Sequence, residues 1–485
     1  MTFFIIKREG HCLPLSSFIM ISLRTHITKG GYMNSITKLL DLEDTDISVS
    51  DVKIEGTTKT IILETKPLPQ YCPCCGFRMY SRGIKTRKIS HPILQDGFAL
   101  ILLLKQRRWR CINKECLYET NEEFRFVNRY RRSTNATDMM IILAFKDLNE
   151  STASIARKFK TSDTHVIEVF DRYVKLDRLP LSDIISVDEV HLDMDNDCKY
   201  ALVIQDFYTG DPIDILRSRK SKITEPYFVS IPPEERRQVK YLLTDMYNPY
   251  ISFVDKYFPN AVPVVDSFHV IQWVTHAIEM YIRQLEKQFR LRDKEKEERL
   301  SAEQGRPVSL SESDELYLLK KYRWLILSNQ ENITYHLDLR MDKHFHCLMN
   351  TYDYERALFN IDSQLKFLRD YKEMYVTFNS RNAGNPTNAA KEIEDIINSY
   401  FYSGDEIFVD FATLLCKYKE AIINSFIMVQ KHGSGGMYNS RLSNGPIESL
   451  NRKVKDLKRL GRGFLNFEHL RNRVDCQVVL THFYV

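Results

Sequence analysis

LSDIISVDEVHLDMDNDCKYALVIQDFYTGDPIDIL, residues 181–216, carries the apolar pattern that sets the fold class. Its opening, LSDIISVDEVHLD, reads as a strand. Tyr200–Leu216 reads as two more strands turning at Thr209–Gly210, where Gly followed by Asp supplies turn chemistry. Further on, Arg217–Gln238 is ambiguous and suits a helix ending at Pro232–Pro233. VKYLLTDM is a short buried strand carrying Asp245, Pro249–Phe258 suits a helix, and AVPVVDSF is another strand.

Three strands, a crossover, a strand, a helix and a strand make the order of an RNase H-like mixed-sheet core, expected at 179–275. From His269 the pattern turns helical. His269–Arg299, Leu316–Leu327, Tyr352–Tyr375, Ala390–Tyr400 and Phe408–Val429 have helical periodicity, so 276–440 is read as an α-helical insertion. KHGSGG at Lys431–Gly436 reads as a flexible hinge. Residues 441–485 return to the core with a basic amphipathic helix.

Toward the N-terminus, Asp51–Thr65 alternates around a glycine and reads as a β-hairpin within a region at 33–70. Cys72 and Cys75 form a CxxC pair, and Cys111 and Cys116 a C-x4-C pair, separated by the strand-like Phe98–Leu104. Two close thiolate pairs suit one tetrahedral Zn2+, so 71–125 is read as a zinc ribbon, with Cys74 a spare able to substitute in register. Four thiolates leave no open position, so the ion is structural. At 133–178, two short helices joined at Lys160–Thr161, with Ser151 and Ser162 as N-caps, match a helix-turn-helix. Its second helix, Ser162–Phe170, would offer Ser162, Asp163, Thr164 and His165 to a major groove.

The chain has 485 residues, enough for about three domains, and a modest net charge of +5. Its basic residues cluster at Lys105–Arg110, at Arg125–Arg132 (with Arg129, Arg131 and Arg132) and at Arg441–Arg473, a distribution that points to nucleic acid. Ten cysteines in so long a chain do not suggest a disulfide scaffold. No apolar run reaches membrane-spanning length, and the expected compartment is the cytoplasm, associated with the nucleoid. Residues 1–32 read as an upstream extension of the reading frame, because Met33 opens a natural beginning.

Three carboxylates stand out. Asp188 lies within the first core strand, Asp245 at the end of the fourth, and Glu448 at the head of SNGPIESLNRKVKDLKRLGRGF. A buried carboxylate is costly unless paired, metal-bound or at an active-site rim. With a nucleic-acid-binding front end, the trio becomes a candidate site for two Mg2+ or Mn2+ ions acting on a phosphodiester. Arg452, Lys453, Lys455, Lys458, Arg459 and Arg462 would hold phosphates beside Glu448, with Asn444 in the entry turn and Asn451 a polar neighbour. Asp266 suits an N-cap of the helix beginning at Ser267, and His269 a core histidine. Trp273 and Trp324 read as core residues.

From about Met33 onward the chain resembles the ISL3 family of insertion-sequence transposases. The resemblance rests on an ordered set: CPCCG, RRWRC with Cys116, the helix-turn-helix, SVDEVH, TDMYNPY, VVDSFHV and SNGPIESLNRKVK. It implies a DDE catalytic core of RNase H type interrupted by a helical insertion, with Asp188, Asp245 and Glu448 as the triad at intervals of 57 and 203 residues. It implies Asp266 and His269 as a supporting D-x-x-H, with Asp266 the rival for the second triad position. The implied activity is binding to terminal inverted repeats, metal-dependent 3′-end cleavage and strand transfer into target double-stranded DNA, by a homodimer or higher assembly. The alternatives are a transposase-derived DNA-binding regulator without catalysis and a metal-dependent nuclease that cuts without joining.

Overall fold

The computed structural model describes residues 46–92, 99–147, 149–195, 198–433, 435–461 and 466–482, together with Thr37, Leu40, Leu42 and Asp44. The segment 1–32 and Arg462 lie outside the described residues. Two compact units emerge. One gathers the described residues up to Leu179 with His191–Lys199 and those from Arg452 onward; the other holds Pro180–Val190 and Tyr200–Asn451. The chain after Arg452, expected as part of the core, is therefore grouped with the N-terminal residues.

In the first unit, β1 (Ile47–Glu55) and β2 (Thr58–Thr65) form an antiparallel hairpin turning at Gly56, whose φ of +54° suits glycine. β3 (Met79–His91) and β4 (Ala99–Cys111) pair antiparallel, β2 runs parallel to β4, and β5 (Glu119–Asn121) adds to the sheet through β4. Along β4, Leu100, Leu102, Leu104 and Gln106 are buried in alternation, the period-two signature of a strand with one covered face. Three helices follow: α1 (Asn135–Ala144), α2 (Thr152–Lys158) and α3 (Asp163–Tyr173). Ile141, Ile142, Ile155, Val166, Val169 and Phe170 close their common core. Ser151 caps α2 by accepting from the Ser154 N–H at 3.1 Å, and Ser162 caps α3 by accepting from the His165 N–H at 3.2 Å. The α2–α3 turn passes through Lys160 at φ 50°, and the Thr161 N–H returns to the Ala156 carbonyl at 2.9 Å.

The second unit is built on a five-stranded sheet of β6 (Ile184–His191), β7 (Tyr200–Asp206), β8 (Pro212–Leu216), β9 (Tyr241–Thr244) and β10 (Val262–Val265). Their spatial order is β10-β9-β6-β7-β8. β6, β9 and β10 run parallel, while β7 and β8 form an antiparallel hairpin. The ambiguous Arg217–Gln238 folds as α4 (Ser221–Ser230) and α5 (Pro233–Gln238), and α6 (Asn248–Tyr257) joins β9 to β10. The sheet interior is apolar on nearly every position of β7 and β8, as expected for strands covered on both faces.

After β10 comes a 38-residue helix, α7 (Ser267–Gln304), stopped by Gly305 at φ +61°. Then follow α8 (Asp314–Tyr322), α9 (Trp324–Leu327), a small β11–β12 hairpin (Arg340–Asp342, Cys347–Met349), α10 (Thr351–Ile361), α11 (Ser363–Arg381), α12 (Pro386–Phe401) and α13 (Glu406–Asn424). The single helix expected over Tyr352–Tyr375 breaks at Asp362, whose carboxylate instead caps α11 by accepting from the Gln364 N–H at 2.9 Å. These helices share one apolar core with Val265 of β10. Trp273 stacks on Phe411 within that packing, whereas Trp324 is 42% exposed and is not a core residue.

The expected hinge at Lys431–Gly436 is instead part of a hairpin, β13 (Met428–Gly433) with β14 (Gly436–Arg441). Composition misled because the glycines that loosen a linker also close a tight turn. Lys431 is buried, donates to the Phe207 carbonyl and lies 4.1 Å from the Phe207 ring centroid. The chain ends with α14 (Gly445–Leu460) and α15 (Phe467–His482). On α14, Ile447, Leu450, Val454 and Leu457 are buried at helical spacing, while Arg452, Lys453, Lys455 and Arg459 are exposed and Lys458 is half-buried.

Candidate functional site

The parallel register of β6 and β9 brings two carboxylates to one place. Ile184 pairs with Tyr241 and Ser186 with Leu243. Continued by two residues, the same register sets Asp188 beside Asp245, where β9 has just ended. This is the carboxyl edge of parallel strands, where open α/β sheets bind their ligands. Asp188 is pushed up to about 6, first by burial and then by the neighbouring carboxylates of Asp245 and Glu189; the Glu189 backbone N–H and the His269 imidazole oppose the shift. Asp245 is also raised, again chiefly by burial, and His269 again counters it. Two half-buried acids, each pushed up by burial and by a neighbouring carboxylate, are an arrangement that a cation would relieve.

Asn451 fixes one of them: its Nδ2 donates to Asp188 Oδ2 at 2.7 Å and lies 3.4 Å from the Glu189 carbonyl. The Glu189 N–H donates to the other Asp188 oxygen at 2.7 Å. Glu448, on the first turn of α14, has Oε1 3.7 Å from His269 Nε2. His269 sits on the first turn of α7, so the helix start delivers it to the same carboxylates.

Asp266 uses both oxygens on backbone. Oδ1 accepts from the Phe268 N–H at 2.9 Å, capping α7, and Oδ2 accepts from the Asn444 N–H at 2.6 Å. Asn444 is itself 1% exposed, and its carbonyl accepts from the Glu448 N–H at 3.0 Å, starting α14. The Gln205 side chain of β7 donates to the Pro446 carbonyl at 3.2 Å and ties that entry turn to the sheet. Asp245 is differently placed: among the described residues its carboxylate has one side-chain hydrogen-bond partner, Thr244 Oγ1 at 3.5 Å.

Sequence reasoning missed a cluster beside Asp188. Glu189 Oε1 lies 2.5 Å from Arg219 Nη1, and its other oxygen accepts from the Tyr250 hydroxyl. The Arg219 guanidinium lies over the rings of Tyr200 at 4.5 Å and Tyr247 at 5.5 Å. Tyr250 is 1% exposed, and burial together with Glu189 raises its hydroxyl pKa far above the ordinary value. The adjacency of two acids in SVDEVH was the one local signal.

The first unit holds a second candidate centre. Cys72, Cys75, Cys111 and Cys116 place their sulfurs within 4.8 Å of one another, with Cys72–Cys116 at 3.6 Å and Cys75–Cys111 at 3.4 Å. Zn–S bonds of about 2.3 Å in a tetrahedron put sulfurs about 3.8 Å apart, so the four thiols fit such an ion. The spare Cys74 is exposed and outside the group. Burial pushes Cys72 up, but the backbone N–H groups of Cys74 and Cys75 and the neighbouring thiols outweigh it and bring it down to about 7. Cys116 is pushed up to about 12, first by Cys75 and Cys72 and then by burial. The four cannot all ionise together without a bound cation, and the cluster could therefore bind zinc. Among the described residues no comparable tight ligand group forms from Asp188, Asp245 and Glu448.

Of the candidate DNA contacts, Ser162 and Thr164 are exposed at the start of α3, where the Ser162 hydroxyl serves as the cap. His165 is half-buried, with Nε2 4.0 Å from Asp138 Oδ1. Arg129 and Arg132 are exposed, and Arg131 is half-buried.

A family model described as Transposase, of the ISL3-type DDE class, matches residues 185–474, more than half of the chain. The chain belongs to the ISL3 family of transposases, and hence to a family of enzymes acting on nucleic acid. The transposase for insertion sequence element IS1001 of Bordetella parapertussis is 23% identical over 293 residues, covering 59% of this chain and 66% of that protein. The chain thus spans slightly under two thirds of this relative's length. No described helix is long and apolar enough to cross a membrane.

Proposed function

We propose that this protein is a DNA transposase that binds the terminal inverted repeats of an insertion sequence, cleaves at the 3′ ends and joins them to target DNA. The observation that carries the reading is the shared register of β6 and β9, which gathers two half-buried carboxylates, both with raised pKa, at a sheet edge within the family-matched region. The strand order β10-β9-β6-β7-β8, which in core order is 5-4-1-2-3, supports an RNase H-like core. The α2–α3 pair with its two serine caps supports a helix-turn-helix.

Asp188, Asp245 and Glu448 would hold two Mg2+ or Mn2+ ions; the all-oxygen donor set and the raised acids fit hard divalent cations. Such ions, when bound, supply Lewis-acid stabilisation of the attacking and leaving oxygens. Asp245 is a better second ligand than Asp266, because backbone amides already engage both Asp266 oxygens. Asn451 orients Asp188, and His269 stands beside Glu448 as a positioning group. In the reaction, water attacks phosphorus, the P–O3′ bond breaks, and a 3′-OH and a 5′-phosphate result. That hydroxyl then attacks a target phosphodiester: its oxygen bonds to phosphorus, the target P–O3′ bond breaks, and a target 3′-OH leaves. The basic face of α14, with Arg452, Lys453, Lys455 and Arg459 exposed, would meet DNA phosphates. DNA is the substrate and a dimer or larger assembly the working form, because two ends must be brought together.

The test is cleavage of a labelled inverted-repeat duplex with Mg2+, wild type beside Glu448→Gln. Cutting that disappears in the variant is expected. Binding without cutting by the wild type would replace this reading with that of a DNA-binding regulator, and cut ends that never join would replace it with a nuclease.

A further inference from the structure

The sheet that carries the cysteine cluster and the strap that follows it line a cleft of about 1150 Å3, lying wholly within the first unit. Nine arginines and lysines line it against three glutamates. The charge comes from segments far apart in sequence: β3, β4, the strap 128–132 and the end of α3. Lys85, Lys88, Arg108, Arg129, Arg132 and Arg172 are exposed there and have no carboxylate partner among the described residues. By contrast, Arg82 is paired with Glu119 at 2.5 Å, so the cleft's own acids do not neutralise the rest.

The strap is held rather than loose. Arg87 donates to the carbonyls of Arg131 at 2.6 Å and Asn128 at 3.3 Å. The Ser90 N–H donates to the Arg132 carbonyl at 2.8 Å, and Asn128 Nδ2 to Asn135 Oδ1 at 3.0 Å. At its tip Tyr130 has φ 65° and is 80% exposed, with the Arg129 guanidinium 5.1 Å from its ring. A bulky residue kept in the left-handed region at an exposed tip is strain that the surrounding bonds impose. Its cost brings no packing in return, which points to an external contact.

We infer that this cleft is a sequence-independent clamp for the phosphate backbone of duplex DNA, with the Arg129–Tyr130–Arg131–Arg132 strap as its pre-set jaw. The inference rests on the proposed DNA-binding function. It adds a division of labour: the exposed start of α3 reads bases, while the cleft supplies affinity without reading them. Unpaired cations spread over several strands and a strap suit repeated phosphates and carry no donor–acceptor pattern that would distinguish base pairs.

The test is fluorescence anisotropy of the full chain on a random-sequence duplex and on a duplex of the element's terminal repeat, across a salt series. Lys85→Ala/Lys88→Ala/Arg108→Ala is compared with wild type, and Arg129→Ala/Arg132→Ala serves as a second variant that leaves the sheet untouched. Affinity should fall at least about tenfold for both duplexes alike, and the slope of log affinity against log salt should shrink by about 0.9 for each contact removed. Zinc content should be unchanged in both variants. Wild-type affinity and slope in both variants would overturn the clamp while leaving the proposed function standing. A loss confined to the terminal-repeat duplex would overturn it too, since that would be base reading. A wild-type protein that binds neither duplex would instead remove the proposed function itself, and the clamp with it.

Discussion

The cysteine cluster of the first unit already has the spacing for a metal ion, and the carboxylate site of the second is proposed to hold two, yet they are built on opposite plans. The four sulfurs already lie within 4.8 Å of one another, at near-tetrahedral separations, with no ligand place left over. Two of the carboxylates sit at a sheet edge and the third at a helix start, and their neighbours are a histidine, an asparagine and another acid. A closed, soft-donor nest can only hold an ion in place. A looser, oxygen-donor set at a sheet edge leaves room for phosphate and water among its ligands. On the proposed reading, the difference would separate a site that stabilises folding from one that could exchange ligands during a reaction.

The sharpest way to break that contrast is to disable each centre and ask what is lost. Asp188→Asn keeps shape and removes a charge, so cleavage should drop about a thousandfold, the equivalent of several kcal/mol of lost charge stabilisation, while DNA binding stays. A variant that cuts at the wild-type rate would remove Asp188 from the site. Cys111→Ser should do the reverse: zinc is released, the β3–β4 end loosens and DNA affinity falls by ten- to a hundredfold. Undiminished zinc by atomic absorption would reject the four-sulfur assignment.

Two smaller effects sharpen the contrast. Glu189→Gln should lower apparent Mg2+ affinity in the cleavage assay about ten- to a hundredfold, because it loosens Arg219 and Tyr250 beside Asp188. An unchanged Mg2+ titration would make that cluster purely structural. The last effect concerns pH. Burial raises Asp188 from 3.8 to about 6 in the folded chain. Its stabilising contribution is therefore present below the unfolded pKa and lost as pH rises through about 6. In metal-free protein this amounts to at most about 3 kcal/mol, a shift of a few degrees in melting temperature between pH 4 and pH 7. Asp188→Asn should flatten that part of the curve, and Mg2+ should restore more stability at pH 8 than at pH 5. Parallel curves for the two proteins would show that Asp188 does not carry the effect.

Much of this was legible in the chain. Cysteine spacing gives the ligand group because thiolates at two close pairs have few other uses. The strands from Ile184 to Leu216 show in their apolar runs and in the Gly-Asp turn. The two helix starts at Asp266 and Asn444 were visible as capping and turn chemistry. What escaped depends on distance along the chain. Arg219 and Tyr250 meet Glu189 only after folding, 30 and 61 residues away, and neither carries a local pattern. The β13–β14 hairpin escaped because its stabilising partner, the Phe207 carbonyl and ring under Lys431, is 224 residues distant. The break at Asp362 escaped because apolar spacing runs on through it; only the acid's side chain marks the new cap.

One feature has mechanical weight. The carboxylate of Asp266 ends the sheet, starts α7 and holds the Asn444 amide that starts the helix bearing Glu448. At 1.5 Å per residue, the 38-residue α7 is a rod about 57 Å long. Its near end is pinned beside the carboxylate site by one side chain, and its far end stops at a left-handed glycine. Loss of that one carboxylate would therefore unseat both helix starts together, the rod's and that of the helix bearing Glu448.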